Sequence, residues 1–297
     1  MTIPSLDDYR LYRDRRAEEQ PAEAWPAPLV SIVTVTLNAA ATLERTIGSV
    51  QEQSLPDIEH IFVDGGSTDG TLDIIARRAR PWDYWISEKD RGISDAFNKG
   101  VALTRGRYVQ ILNADDWMSP SQIQTAVTAL RDTGADFVFG DLVFYENDRP
   151  VFTYVGDPDY ARIIHRRMPA ISHPTVLAAR ACFEKIGLFD LGYRNAMDYD
   201  WFLRLHRANA RGTYCDGVLG HMTHAGVSNR QFKRTIDEVR MIAVSHGRNR
   251  LFAEAEAKAR ILKTTLSQPI KRHAKPVYHL VRSLTNPAFR PKSIDRA

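Results

Sequence analysis

The chain alternates between short β-branched runs and stripes of apolar residues at helical spacing. Leu29 opens the run LVSIVTVTL, which reads as a buried strand. Leu43, Ile47 and Val50 then recur on one helical face. IEHIFVD at 58–64 is a second strand, followed by a helical stripe at Leu72, Ile75 and Ala79. WDYWIS at 82–87 is a third strand, and Ile93, Phe97 and Val101 make the next stripe. RYVQIL at 107–112 is a fourth strand. Ser119-Pro120 supplies a helix cap and first position ahead of Ile123, Val127 and Leu130. DFVFGDLVFY at 136–145 closes the series. This order predicts parallel β-α-β units with helices on both faces of a sheet.

After residue 150 the rhythm changes. VFTYV and PTVLAAR read as strands and DYDWFLRLHRA as a helix, so 151–229 is expected to complete the domain begun at residue 29. Residues 1–28 are polar and carry Pro21, Pro26 and Pro28, which predicts an extension ahead of the first strand. Residues 230–297 read as helix, broken near Pro269, Pro276, Pro287 and Pro291.

Composition narrows the class. With 297 residues, 43% hydrophobic and 26% charged, the chain can bury a substantial core, and disorder as the main state is excluded. Two cysteines, Cys182 and Cys215, exclude a disulfide scaffold and a four-cysteine zinc site; both read as small buried hydrophobes. No apolar run is long enough to span a bilayer, and the N-terminus is charged where a secretory leader would be apolar, so a cytoplasmic protein is expected. The charge is uneven. Residues 230–297 hold 16 Lys and Arg against 5 Asp and Glu, a net +11, which leaves −7 on residues 1–229. A basic tail on an acidic body points to an anionic surface as partner. The mixture of Val277, Tyr278, Leu280, Val281 and Leu284 with basic residues favours a membrane, and no aromatic platform accompanies the charges as nucleic acid would require.

In an open parallel sheet, ligands bind outside the carboxyl ends of the strands. Thr36, Leu37 and Asn38 follow the first strand, and Asp64 ends the second. SEKDRGISDAFNKG follows the third, and LNADDW, with Asp115 and Asp116, ends the fourth. Several strand ends thus bring carboxylates to one rim, which suits a polyol, a metal or both. GGSTDG lacks the spacing of a dinucleotide fingerprint and no phosphate-cradling G-x-x-x-x-G-K-[ST] occurs, so a divalent cation bridging acid and diphosphate is the natural substitute.

The segments VSIVTVTLNAAATLERTIGSVQEQS, FVDGGSTDGT, DRGISDAFNKG and LNADD resemble the nucleotide-sugar half of the family 2 glycosyltransferases. HPTVLAARACFEKIGLFDLGYRNAMDYDWFLRL resembles their acceptor half, and the likeness spans about residues 29–229. It implies an α/β, Rossmann-like GT-A fold with a mostly parallel sheet flanked by helices, here with a basic helical tail. It also implies inverting transfer from a nucleotide-diphosphate sugar, most often a UDP-sugar. The acceptor would be a hydroxyl of a glycan or lipid-linked molecule in surface polysaccharide assembly, at the cytosolic membrane face.

The resemblance also assigns roles. Asp64 would accept hydrogen bonds from the base, with Thr36, Leu37 and Asn38 lining base and ribose. Asn113, Ala114, Asp115 and Asp116 occupy the D-x-D region, where Asn113 replaces the first acid and Asp115 would hold Mn²⁺ or Mg²⁺. Asp198 would be the general base, Met197 replacing the usual Glu before it, with Asp200 in reserve. Arg91, Asp95 and Asn98 are candidates on the donor side, with Lys99 beside them. His173 and Trp117 are placed on the acceptor side, and His221 and His224 are candidates for metal or diphosphate from a closing loop. Two other readings stay open. One is a nucleotidyltransferase, although the first β-α turn lacks its glycine-rich loop. The other is a non-catalytic nucleotide-sugar-binding scaffold, which Asn113 keeps in play.

Overall fold

A computed structural model of the chain describes residues 3–23, 25–223, 231–273, 282–283, 286 and 288–291. The first half follows the alternation of its sequence. Strands β1 (Val30–Thr36), β2 (Ile58–Asp64), β3 (Tyr84–Ser87) and β4 (Tyr108–Ile111) lie in parallel in the order β3-β2-β1-β4. Helices α2 (Leu43–Gln51), α3 (Thr71–Arg78) and α4 (Ile93–Leu103) connect them. Every residue of β2 is buried, as a strand covered on both faces must be. α4 lies close on the sheet because Gly100 has no side chain: a methyl there would overlap Val33 Cγ1.

Beyond β4 the sheet becomes mixed. β5 (Asp116–Met118) and α5 (Gln122–Thr133) lead to β6 (Phe137–Glu146), β7 (Arg149–Tyr154) and the short β8 (Leu177–Ala179). β8 is antiparallel to both β4 and β6 and fills the place between them. PTVLAAR therefore contributes only three strand residues, and its first two, Pro174 and Thr175, lie in the 3₁₀ turn His173–Thr175. α6 (Arg180–Ile186), α7 (Met197–Arg207) and β9 (Gly212–Thr223) follow, β9 running parallel to β6 and antiparallel to β5.

Both ends of the chain are more integrated than polarity suggested. In the N-terminal segment, α1 (Arg10–Glu19) packs beside α4. Arg16 is 2% exposed and its Nη2 meets Glu59 at 2.6 Å, while the Tyr9 hydroxyl donates to Asp95 at 2.6 Å. A charged residue can be buried when it is paired and hydrogen-bonded, and a hydrophobic-pattern reading misses such an anchor. At the other end, α8 (Phe232–Ser245) buries Ile236, Val239, Ile242 and Ala243. Val239 and Ile242 join the main core, so this helix belongs to the body although it falls within the basic segment 230–297. α9 (Arg250–His273) packs on α8, and β10 (Phe289–Pro291) adds an antiparallel edge strand to β7. The expected membrane segment 276–284 lies outside the described residues except for Arg282 and Ser283.

Candidate active site

The parallel register aligns Thr36 with Asp64 and Asp64 with Ser87, so the loops after β1, β2, β3 and β4 leave the sheet on one side. A cleft of about 930 Å³ opens there. One wall carries Thr36, Leu37, Asn38, Gly65, Asp90 and the Asn113–Asp115 turn. Its opposite wall carries Arg194, Asn195, Asp198, Gln231 and Arg234. Phe97, Phe189, Trp201 and Phe202 line its apolar part.

Asp115 is half-buried on the first of these walls, and burial raises its carboxyl above the ordinary range while Arg45 opposes that shift. Beside it, Asn113 donates to Asp116 Oδ2 at 3.2 Å and stands 3.1 Å from His173 Nε2. Asn113 Oδ1 is buried without a hydrogen-bond partner. A desolvated carboxylate next to an unpartnered carbonyl oxygen is an oxygen-donor set that suits Mg²⁺ or Mn²⁺, which complete their shells with water and phosphate. No group of three or more His, Cys, Asp or Glu among the described residues is placed to hold a metal ion, so any cation here would take most of its ligands from substrate and solvent. His173 has its pKa lowered to about 4 by burial and is neutral at physiological pH.

Asp198 sits in the first turn of α7 on the facing wall. Burial raises its carboxyl to about 6; the Tyr199 N–H, donating to Oδ1 at 2.8 Å, opposes the rise, and the charge of Glu238 adds to it. A carboxylate tuned toward neutrality and open to a cleft is suited to accept a proton. Its loop is fixed from α8. Glu238 Oε2 accepts the backbone N–H groups of Arg194, Asn195 and Ala196 at 3.1, 2.7 and 3.0 Å. Arg234 holds the other oxygen of Glu238 at 3.0 Å.

Several expected contacts are turned to other work. Asp64 is fully buried and accepts from Thr36, Gly66, Ser67 and Ser87, so its carboxylate shapes the 64–67 turn and does not line the cleft. Asp116 is also fully buried, and burial with the neighbouring Asp115 charge pushes its pKa well up; it lies behind the cleft wall. Asp95 bonds Tyr9 and Arg91 and lies 3.7 Å from Lys99. Asn98 exchanges two hydrogen bonds with the Phe189 backbone. Arg91, Asp95 and Asn98 therefore brace α4 and do not line the cleft. Trp117 is outside it as well, stacked between Arg45 at 3.6 Å and His221 at 5.4 Å, and His221 also contacts Ser119 Oγ at 2.8 Å. Asp200, the reserve base, is held by Arg204 at 2.8 Å and His246 at 3.1 Å and does not line the cleft. His224 lies outside the described residues. Both cysteines are free thiols, Cys182 buried and Cys215 partly so.

The Glycosyl transferase family 2 model matches residues 31–186, more than half of the chain. The chain belongs to this family. It is therefore a glycosyltransferase, and the α/β GT-A reading of its sequence stands. A PGL/p-HBAD biosynthesis glycosyltransferase of Mycobacterium bovis is 34% identical over 183 residues, covering 60% of this chain and 70% of that one. Chondroitin synthase of Escherichia coli is 29% identical over 218 residues, 69% of this chain and 30% of that one. Among solved structures, the mannosyltransferase PcManGT from Pyrobaculum calidifontis, in complex with GDP-Man and Mn²⁺, superposes with a TM-score of 0.59. Its identity is 20%, covering 94% of this chain and 89% of that one. S. aureus TarS 1–349 in complex with UDP-GlcNAc gives a TM-score of 0.57 at 17% identity, covering 82% and 76%. These likenesses establish the fold.

For this family 2 chain, sequence reasoning missed Asp90, Arg194, Gln231, Arg234 and Glu238. Asp90 had a signal, an acid directly after β3 on the same rim as the others; its Oδ1 accepts from Lys99 at 3.1 Å. A Cβ at Gly65 would come within 2.7 Å of Asp90 Oδ2, so glycine there lets the two loops meet. Arg194 and the α8 residues are brought in by tertiary packing across 36 or more positions, for which one sequence holds no signal.

Proposed function

We propose that the protein transfers a sugar, with inversion, from a nucleotide-diphosphate donor to an acceptor hydroxyl. What carries the reading is one cleft with Asp115 on its donor wall and Asp198, its carboxyl raised to about 6, on the other. Thr36, Leu37 and Asn38 face the nucleoside. Asp115, with Asn113 beside it, would hold Mn²⁺ or Mg²⁺, which when bound neutralises the diphosphate leaving group. Asp198 takes the proton of the attacking hydroxyl as the new glycosidic bond forms. A base on one side and the leaving group on the other give inversion, by the logic that separates the two carboxylates of inverting glycosidases.

UDP-sugar is the donor we favour, supported by the UDP-GlcNAc complex of TarS; the GDP-Man complex of PcManGT makes a guanosine donor the second reading. The names of the mycobacterial relative and of chondroitin synthase support a lipid-linked or glycan acceptor in surface polysaccharide or glycolipid assembly. Calorimetric titration of UDP and GDP, each with and without Mn²⁺, tests the donor reading. Mn²⁺-dependent binding of UDP is the expected outcome. Absence of binding by both nucleotides would refute it.

A further inference from the structure

The outer face of α9 has a composition that its neighbours in the fold do not explain. Ala253 and Ala257 are 2% and 6% exposed and face the body. At 3.6 residues per turn, Leu251, Ala255, Leu262, Leu266, Ala259 and Phe252 fall within roughly 100° on the side away from those alanines. All six are exposed, and Leu251, Phe252, Leu262 and Leu266 reach 76%, 72%, 60% and 66%. Scattered apolar residues on a surface are ordinary, but a continuous stripe over four turns of helix needs a partner.

The charges beside the stripe indicate which partner. Lys258 and Lys263 flank it on either side, and neither makes a salt bridge among the described residues. The acids nearest the stripe are already paired, Glu254 with Arg250 at 2.8 Å and Glu256 with Arg248. Next to Phe252, a cleft of about 830 Å³ is lined by Arg166, Arg167, Arg248 and His165, with Glu256 its one acid. Arg166 and Arg167 are exposed. An apolar stripe edged by lysines, with a basic cleft at one end, matches a lipid surface in both respects. Acyl chains cover the stripe, and anionic headgroups meet the cations. No described helix is long and apolar enough to cross a membrane, so the contact would lie in the plane of the interface.

We propose that the exposed face of α9, with the arginine cleft beside Phe252, binds an anionic lipid bilayer. The sequence points to an anionic surface as partner for the whole basic segment 230–297 and singles out 276–284 within it; α9 lies in that segment, but its exposed face is a surface the sequence reading does not single out, and it rests on no donor or acceptor assignment. Co-sedimentation of the full chain with phosphatidylcholine vesicles, with and without phosphatidylglycerol, tests it. Native protein should partition onto the phosphatidylglycerol vesicles and be released as salt rises. Leu262→Ser with Leu266→Ser leaves the net charge unchanged and should weaken partitioning by about tenfold or more. Lys258→Glu with Lys263→Glu should weaken it most at low salt. These positions are exposed, so an unchanged thermal midpoint and unchanged nucleotide binding show that each variant is folded. Partitioning of the leucine variant equal to native would overturn the proposal, because the basic segments alone would then account for binding. Failure of native protein to bind would overturn it too. So would sedimentation velocity showing lipid-free native protein self-associating through a contact that the leucine variant lacks, since a second copy would then cover the face.

Discussion

Replacing Asp198 by Asn should lower turnover and raise stability at the same time, and the pairing of these opposite effects is the sharpest test of the site. The substitution keeps the side-chain size and an oxygen to accept the Tyr199 N–H, now 2.8 Å from Oδ1. It removes a carboxylate whose pKa burial lifts from 3.8 to about 6. A folded-state pKa above the unfolded one means that the folded state binds the proton more tightly. The associated stability is complete below about pH 3.8 and is lost as pH rises through about 6. At 1.36 kcal/mol per pH unit the full loss is about 3 kcal/mol. The cleft is open and Asp198 only half-buried, so about 1–2 kcal/mol should survive solvent screening.

Asp198→Asn should therefore be more stable than native protein at pH 8 by about 1–2 kcal/mol. The gain should shrink as pH falls toward 4. Urea denaturation at a series of pH values reads this directly. In the same variant kcat should fall by about 10²-fold or more while nucleotide affinity stays within about twofold, because the base acts only as the acceptor proton moves. Native kcat/KM should carry an acid limb near pH 6 that the variant lacks. A variant less stable than native at pH 8, or one retaining both turnover and the acid limb, would refute the assignment.

Asp115→Asn should abolish the Mn²⁺ enhancement of UDP binding and leave the metal-free affinity nearly unchanged, as calorimetry would show; retained enhancement would place the cation elsewhere. Glu238→Gln removes the charge that collects three backbone N–H groups and contributes to the raised Asp198 pKa. It should lower kcat by about tenfold with donor KM unchanged, and move the acid limb to lower pH. A purely structural role for Glu238 would change the melting temperature without moving that limb. Arg16→Ala leaves Glu59 buried without its 2.6 Å partner and should cost about 3–5 kcal/mol by denaturant titration. A loss under about 1 kcal/mol would show that Arg105, 3.5 Å from the same carboxylate, compensates.

The parallel half of the fold was legible because its strands are short runs rich in β-branched and aromatic residues and each helix shows one apolar stripe. Asp115 and Asp198 were legible as acids at a strand end and a helix start. Sequence position could not tell which acids of a cluster face the ligand. Asp115 and Asp116 are adjacent, yet one lines the cleft and the other is fully buried, since successive side chains leave the backbone in different directions. Asp198 and Asp200 differ in the same way on one helix turn, Asp200 meeting Arg204 four residues on. Asp64 ends a strand as expected, but four protein residues hydrogen-bond its carboxylate, a count no spacing rule predicts. Charge counting places α8 in the basic segment 230–297, although the helix itself holds three Lys and Arg against two Asp and Glu. Its Ile236, Val239 and Ile242 recur at three-residue spacing and carry it into the core.

The two walls of the cleft come from parts of the chain with different standing in the family. The donor wall, from Thr36 to Asp115, falls inside the matched span 31–186. Asp198, Glu238 and the mouth residues Arg194, Gln231 and Arg234 all lie beyond it. Glu238 is the joint between them: it is 5% exposed, and it ties the loop ahead of Asp198 to a helix that the family model does not include. A change in the angle of α8 would therefore move the base loop and the cationic mouth together while leaving the Asn113–Asp115 turn in place. On the proposed assignment, acceptor choice would vary through α8 while donor binding stays intact. Glu238→Gln thus reports on more than the proposed base, for it frees the 194–196 loop from the helix that positions it.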